Sequence, residues 1–179
     1  MPTPTKILNI PGSALVVLIG VAGSGKSTFA NAGFRGTEVL SSDLFRGMIS
    51  DDEGDQEATE DAFALLHIVL EKRLRRGKLC VIDATNIRRE YRAHLLEAAR
   101  AFGRPAVAIV FETPTQLCIA RAGSRADRVV TARVIREQLK AMGPQSDEDL
   151  LSEGFRKVYR VEPEDRVEMR RGAAARAAR

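Results

Sequence analysis

The chain is short of the residues that build metal clusters and covalent cross-links. It has two cysteines and two histidines in 179 residues. Cys80 and Cys118 each lie inside an apolar run, the setting of reduced core thiols rather than of a disulfide framework. No Cys/His grouping has ligand spacing, which argues against a zinc centre. No apolar stretch approaches the roughly 20 residues that a membrane-spanning helix needs. The opening Met1-Pro2-Thr3-Pro4-Thr5-Lys6 lacks the charged-then-apolar layout of a secretory leader. No internal repeat is visible. These absences leave a cytoplasmic protein with no membrane attachment as the expectation.

What is present fits one domain with a proper core. The apolar share is 44%, ordinary for a globular protein. The net charge is +4, which is compatible with a polyanionic partner without demanding one. Arginine far outnumbers lysine, a bias that base composition explains as readily as phosphate recognition.

The most informative stretch runs from Gly20 through Val21, Ala22, Gly23, Ser24, Gly25, Lys26 and Ser27 to Thr28. It follows the apolar run Leu15-Val16-Val17-Leu18-Ile19 and opens a helix. A buried strand, then G-x-x-x-x-G-K-S, then a helix is the context of a Walker A phosphate loop. The glycines let successive backbone N–H groups converge on a phosphate, and the helix N-terminus adds partial positive charge. Gly23, Ser24, Gly25, Lys26, Ser27 and Thr28 are thus expected to bind a nucleoside triphosphate. Lys26 would reach its terminal phosphates, and the Ser27 hydroxyl would meet Mg²⁺.

Elements alternate along the chain. Strands are expected near 14–19, 38–41, 78–83, 106–111 and 157–161. Helices are expected from Lys26 to Gly33, from Ser42, over 57–76, over 88–102, from Thr113, over 131–142 and over 147–152. Ala62, Leu65, Leu66, Val69 and Leu70 form one apolar stripe; Tyr91, Leu95, Leu96 and Ala99 form another. His67, mid-helix, reads as a packed or surface residue. Residues 1–13 read as irregular, 50–55 as a solvated acidic loop, and 166–179 as an Arg/Ala-rich tail or linker. Alternation at this spacing indicates an α/β domain over 1–165, with a mostly parallel five-stranded sheet and an Arg-rich helical lid near 114–143. Strand ends along one edge would then gather the site.

Three groups should converge there. Asp43 follows the second expected strand, where a carboxylate can take the proton of a hydroxyl attacking the terminal phosphate; the position also suits a helix N-cap. Arg46, three residues on, shares its face and could clamp a phosphate on the acceptor. Asp83 ends a strand in the manner of a metal-holding Walker B carboxylate. The adjoining Thr85-Asn86 fits either a substrate contact or a turn. Arg121, Arg125 and Arg128 would line one side of a helix and neutralise transition-state charge.

The segments LVVLIG-x-x-GSGKSTFA, EVLSSD-x-x-RG, SDDE-x-DQ, KL-x-VIDATN, R-x-x-x-R-x-DR and EGFRKVY run from Leu15 to about Tyr159. Together they resemble the N-terminal kinase domain of bacterial polynucleotide kinase–phosphatase, an end-healing component of RNA repair. The resemblance implies a P-loop kinase that phosphorylates the 5′-hydroxyl ends of RNA or DNA, using ATP or another NTP with Mg²⁺, or Mn²⁺ in its place. It implies Lys26, Asp43, Arg121 and Arg125 as catalytic groups, with the two lid arginines on the triphosphate and Arg128 in support. It places Arg46 on an adjacent 3′-phosphate of the acceptor, Val134 against the terminal base, and Ser27 and Asp83 at the metal. It also implies a homodimer and further phosphatase and ligase-like domains, or an RNA-repair methyltransferase partner. Two rivals share the loop: a kinase for a small metabolite such as a sugar or nucleoside, and a nucleotide-binding module that regulates a partner.

Overall fold

The computed structural model describes residues 5–124 and 130–173. Five strands form one parallel sheet in the order β3-β4-β2-β5-β6. These are β2 (Leu15–Ile19), β3 (Val39–Ser41), β4 (Cys80–Asp83), β5 (Ala106–Phe111) and β6 (Lys157–Val161). Every residue of β2, β4 and β5 is buried, because helices cover parallel strands on both faces. The connecting helices are α1 (Lys26–Gly33), α2 (Ser42–Ser50), α3 (Thr59–Arg75), α4 (Arg89–Ala101), α5 (Thr115–Gly123), α6 (Ala132–Met142) and α7 (Asp147–Glu153). The expected α/β sheet is therefore the observed one.

The period of two along a strand splits the core. Leu15, Val17, Ile19, Ile82, Ala108 and Val110 face a cluster with Ala62, Leu66 and Leu70 of α3 and Leu95, Leu96 and Ala99 of α4. Val16, Leu18, Val81, Val107 and Ile109 face the other way, onto Ala30 of α1, Phe34 just after it, and Leu8 and Ile10. Tyr91 departs from its expected place: it is 56% exposed, and Arg92 takes the inward position. The reason is phase. Arg92, Leu96 and Ala99 lie four and three residues apart, which is the true helical stripe.

Two segments expected to be irregular or loose are strands. β1 (Thr5–Ile10) and β7 (Arg166–Arg171) pair in parallel, from Thr5 opposite Arg166 to Ile10 opposite Arg171. They cover the part of the sheet that α1 leaves open. Leu8 and Ile10 are each 1% exposed, and burying such side chains contributes about 1.5–3 kcal/mol apiece. Asn9 and Tyr159 of β6 lock the pair in place: the Asn9 amide donates to the tyrosine oxygen (2.7 Å), which donates back to the Asn9 carbonyl (3.1 Å). Lys6 pairs with Asp165 at 2.6 Å.

Candidate phosphoryl-transfer site

The C-terminal ends of β2, β3, β4 and β5 open into one cleft of about 1090 Å³. Its floor is the loop between β2 and α1. Gly23 and Gly25 have φ of +77° and +100°, values that side chains resist. A Cβ on Gly23 would lie 2.2 Å from the Cys118 carbonyl oxygen, so α5 packs against the loop closely enough to demand glycine. Gly25 caps α1, whose first turn carries no acidic residue. The positive end of that helix is thus left for an anion. Lys26 is buried, and its ammonium donates to the Val21 carbonyl (2.8 Å) and to Ser24 Oγ (3.3 Å). The Thr113 hydroxyl braces the loop through the Ser24 carbonyl (2.8 Å).

One wall is α2. Ser41 caps it, accepting from the Leu44 amide. Asp43 therefore is not the cap, and its carboxylate belongs to the cleft, which it lines with Ser42 and Arg46. Asp43 Oδ1 accepts from Arg46 Nη2. Arg46 is 4% exposed, and its Nε donates to the Glu53 carbonyl (2.8 Å). Arg46 is thus anchored at its base, and its guanidinium holds Asp43 and lines the cleft. The acidic loop after α2 folds on itself, with Asp52 Oδ1 accepting from the Gly54 amide (2.8 Å). It delivers Gln56 into the cleft, beside Phe63 of α3.

Asp83 closes β4 and is 7% exposed; with Thr85 it lines the cleft. Asn86 resolves in favour of the turn. It is 3% exposed with φ +49°, and its side-chain amide donates to the Leu18 carbonyl (2.7 Å) and the Ala84 carbonyl (3.2 Å). The Ser27 hydroxyl and the Asp83 carboxylate are hard oxygen donors in one cleft. That donor set fits Mg²⁺, which takes few protein ligands and leans on substrate phosphates. Among the described residues no group of three or more His, Cys, Asp or Glu side chains could hold a metal by itself.

Arg121, in the last turn of α5, also lines the cleft. Its Nη1 lies 3.5 Å from where a Cβ on Gly25 would stand, over the start of α1. Arg125 and Arg128 fall outside the described residues. Val134 sits exposed on α6 and is not part of the cleft lining. From α6 it is Gln138 that reaches the site, its Oε1 accepting from the Ala22 amide at 2.8 Å. Burial pushes the Cys118 thiol up, with Lys26 and Arg121 pulling the other way, so it stays a protonated packing group rather than a nucleophile.

Sequence reasoning missed Gln56, Phe63, Gln138, Thr113 and Arg92. Arg92 carried a signal in its place on the α4 stripe, and Gln56 in closing the segment SDDE-x-DQ. Otherwise a glutamine or threonine on a helix or loop has none until its partner is known.

Among the described residues no helix is long and apolar enough to cross a membrane. A transcription factor, bHLH140, of Arabidopsis thaliana is 32% identical over 114 residues, covering 62% of this chain and 11% of that protein. The chain thus spans a small part of that relative. A structure described as a kinase of Chloroflexus aurantiacus superposes with a TM-score of 0.57 at 16% identity, over 83% of this chain and 87% of that one. An unliganded sugar kinase of Janibacter sp. gives 0.56 at 20% identity, over 89% and 86%. At such identities the likeness is one of fold. Residues 15–145 match the family described as the AAA domain, and the chain belongs to that family.

Proposed function

We propose that this protein transfers the terminal phosphoryl group of a nucleoside triphosphate to a hydroxyl, and that the acceptor is the 5′-hydroxyl end of a polynucleotide. The observation that carries the first part is the meeting of Lys26, Asp43, Asp83 and Arg121 in one cleft with the phosphate loop. The acceptor hydroxyl has a pKa far above neutrality. Asp43 therefore takes its proton late, as the new oxygen–phosphorus bond forms and the bond to the nucleoside diphosphate breaks. Lys26 and Arg121 offset the charge on the phosphate oxygens. Mg²⁺ bound at Ser27 and Asp83 would supply further neutralisation. Arg46 sets the Asp43 carboxylate and presents a cation to an acceptor phosphate. Positioning and charge supply most of the acceleration in such reactions.

Two features support a polynucleotide acceptor. The motifs around Asp43, Asp83 and Arg121 resemble those of 5′-hydroxyl polynucleotide kinases, and the net charge is positive. A small metabolite as acceptor is the second reading, favoured by the fold shared with a sugar kinase; Asp43 would act there in the same way. Labelled NTP offered with a 5′-hydroxyl oligonucleotide and with a panel of sugars separates the two. Label on the oligonucleotide is expected. Label on a sugar alone would establish the second reading instead.

A further inference from the structure

We propose that Arg92 and Glu153 are positioning residues, whose task is to hold the turn at residues 83–86 against the phosphate loop. Arg92 is 2% exposed and is the bulkiest of the fully buried side chains among the described residues. It spends two donors on Glu153, Nε to Oε2 at 2.8 Å and Nη2 to Oε1 at 2.5 Å. Its Nη1 donates to the carbonyl of Asn86 at 2.9 Å.

Asn86 is the keystone of that turn. Its backbone is left-handed, a conformation that costs a non-glycine residue of order 1–3 kcal/mol unless its surroundings enforce it. Its side chain reaches the Leu18 carbonyl in β2. One residue earlier, the Thr85 carbonyl accepts from the Gly20 amide at 3.0 Å. The turn is thereby stitched to the start of the phosphate loop, and it presents Asp83 and Thr85 to the cleft.

Stability alone does not call for an arginine here. A buried ion pair is often matched or bettered by apolar residues of similar volume, and position 92 lies on the stripe with Leu96 and Ala99. An apolar residue cannot donate to the Asn86 carbonyl. That donation is what distinguishes the arginine. Glu153, at the end of α7, satisfies the guanidinium and fixes its direction.

The test uses the full chain with Arg92→Met and Glu153→Leu together, which removes the donor without leaving a lone buried charge. Thermal unfolding should stay near that of the wild type. Exchange of the Gly20 amide hydrogen should quicken by about tenfold or more while that of Ala108, in mid-β5, stays unchanged. In the phosphoryl-transfer assay kcat should fall by about tenfold to a hundredfold, the scale of a small misplacement of a reacting group, with KM for NTP nearly constant. A folded double variant with unaltered Gly20 exchange and kcat overturns the proposal. If the double variant does not fold, Arg92→Lys replaces it, since a lysine keeps the cation on Glu153 but lacks the fork that also reaches Asn86; wild-type exchange and kcat in that variant overturn the proposal equally. The kinetic arm rests on the phosphoryl-transfer reading, whereas the exchange arm does not. A protein that phosphorylates nothing would defeat that reading and leave this one to the Gly20 amide.

Discussion

The two walls of the cleft are made of different material. On the proposed function the donor wall is backbone: two left-handed glycines, a helix N-terminus and carbonyls that hold Lys26 and the turn at Asn86. The acceptor wall is side chain: Asp43 set by Arg46, itself set by the Glu53 carbonyl. A triphosphate is the same in every such reaction, so a rigid cradle of amides suits it. Acceptors differ, and side chains on a short helix can be exchanged without rebuilding the fold.

The sharpest way to break this division is at Asp43. Asp43→Asn keeps the shape and a partner for Arg46 but cannot take a proton. Transfer should fall by about 10²–10⁴-fold, the usual worth of a general base, while NTP binding survives. Full activity would remove Asp43 from the mechanism.

The donor wall should fail differently. Gly23→Ala meets a backbone oxygen that no rotamer can move, at a φ that adds strain of order 1–3 kcal/mol. Loss of NTP affinity by more than tenfold, together with a lower unfolding midpoint, is the expected pair of effects in calorimetry. An unaffected variant would mean that α5 yields easily.

Arg46→Lys keeps the charge but loses the fork that spans Asp43 and Glu53. A charge-assisted hydrogen bond is worth about 1.5–3 kcal/mol, so KM for the acceptor should rise by about tenfold or more. KM for NTP should stay within twofold. Equal rises in both would dissolve the distinction between the walls.

The smallest effect belongs to neither wall. Burial first, and His94 second, pushes the His67 imidazole below its ordinary value of 6.5. The unfolded chain then binds a proton more readily than the folded one. His67 leaves stability untouched above that pH and lowers it as pH falls through it. His67→Gln should flatten that acid slope of the melting temperature without altering kcat at neutral pH.

The same division explains what was legible. Backbone-built features have a chemical grammar: glycines where φ is positive, apolar runs where both faces are covered, Gly and Pro at breaks. The sheet, the phosphate loop and the bounds of α1 and β5 follow from it. Side-chain partnerships are set by residues far apart in sequence. That Arg46 would be tied at Glu53, that Gln138 would reach Ala22, or that Arg92 would meet Glu153 cannot be read before the chain is folded. β1 and β7 escaped notice for a related reason. Pro2, Pro4 and Pro11 hide a six-residue strand, and the arginines of β7 disguise its inward Val167 and Met169, both of which line the cleft.

That strand pair has a consequence for how the protein is made. Among the described residues β1 pairs only with β7, and no other strand pair joins segments so far apart in sequence, so β1 must wait for β7. Until then Leu8 and Ile10 lack the strand they pair beside, and the side of the cleft formed by Asp165, Val167 and Met169 does not exist. Because contacts between distant segments form slowly, the pairing of β1 with β7 completes the cleft late. A nascent chain thus acquires a complete cleft only when synthesis has passed β7.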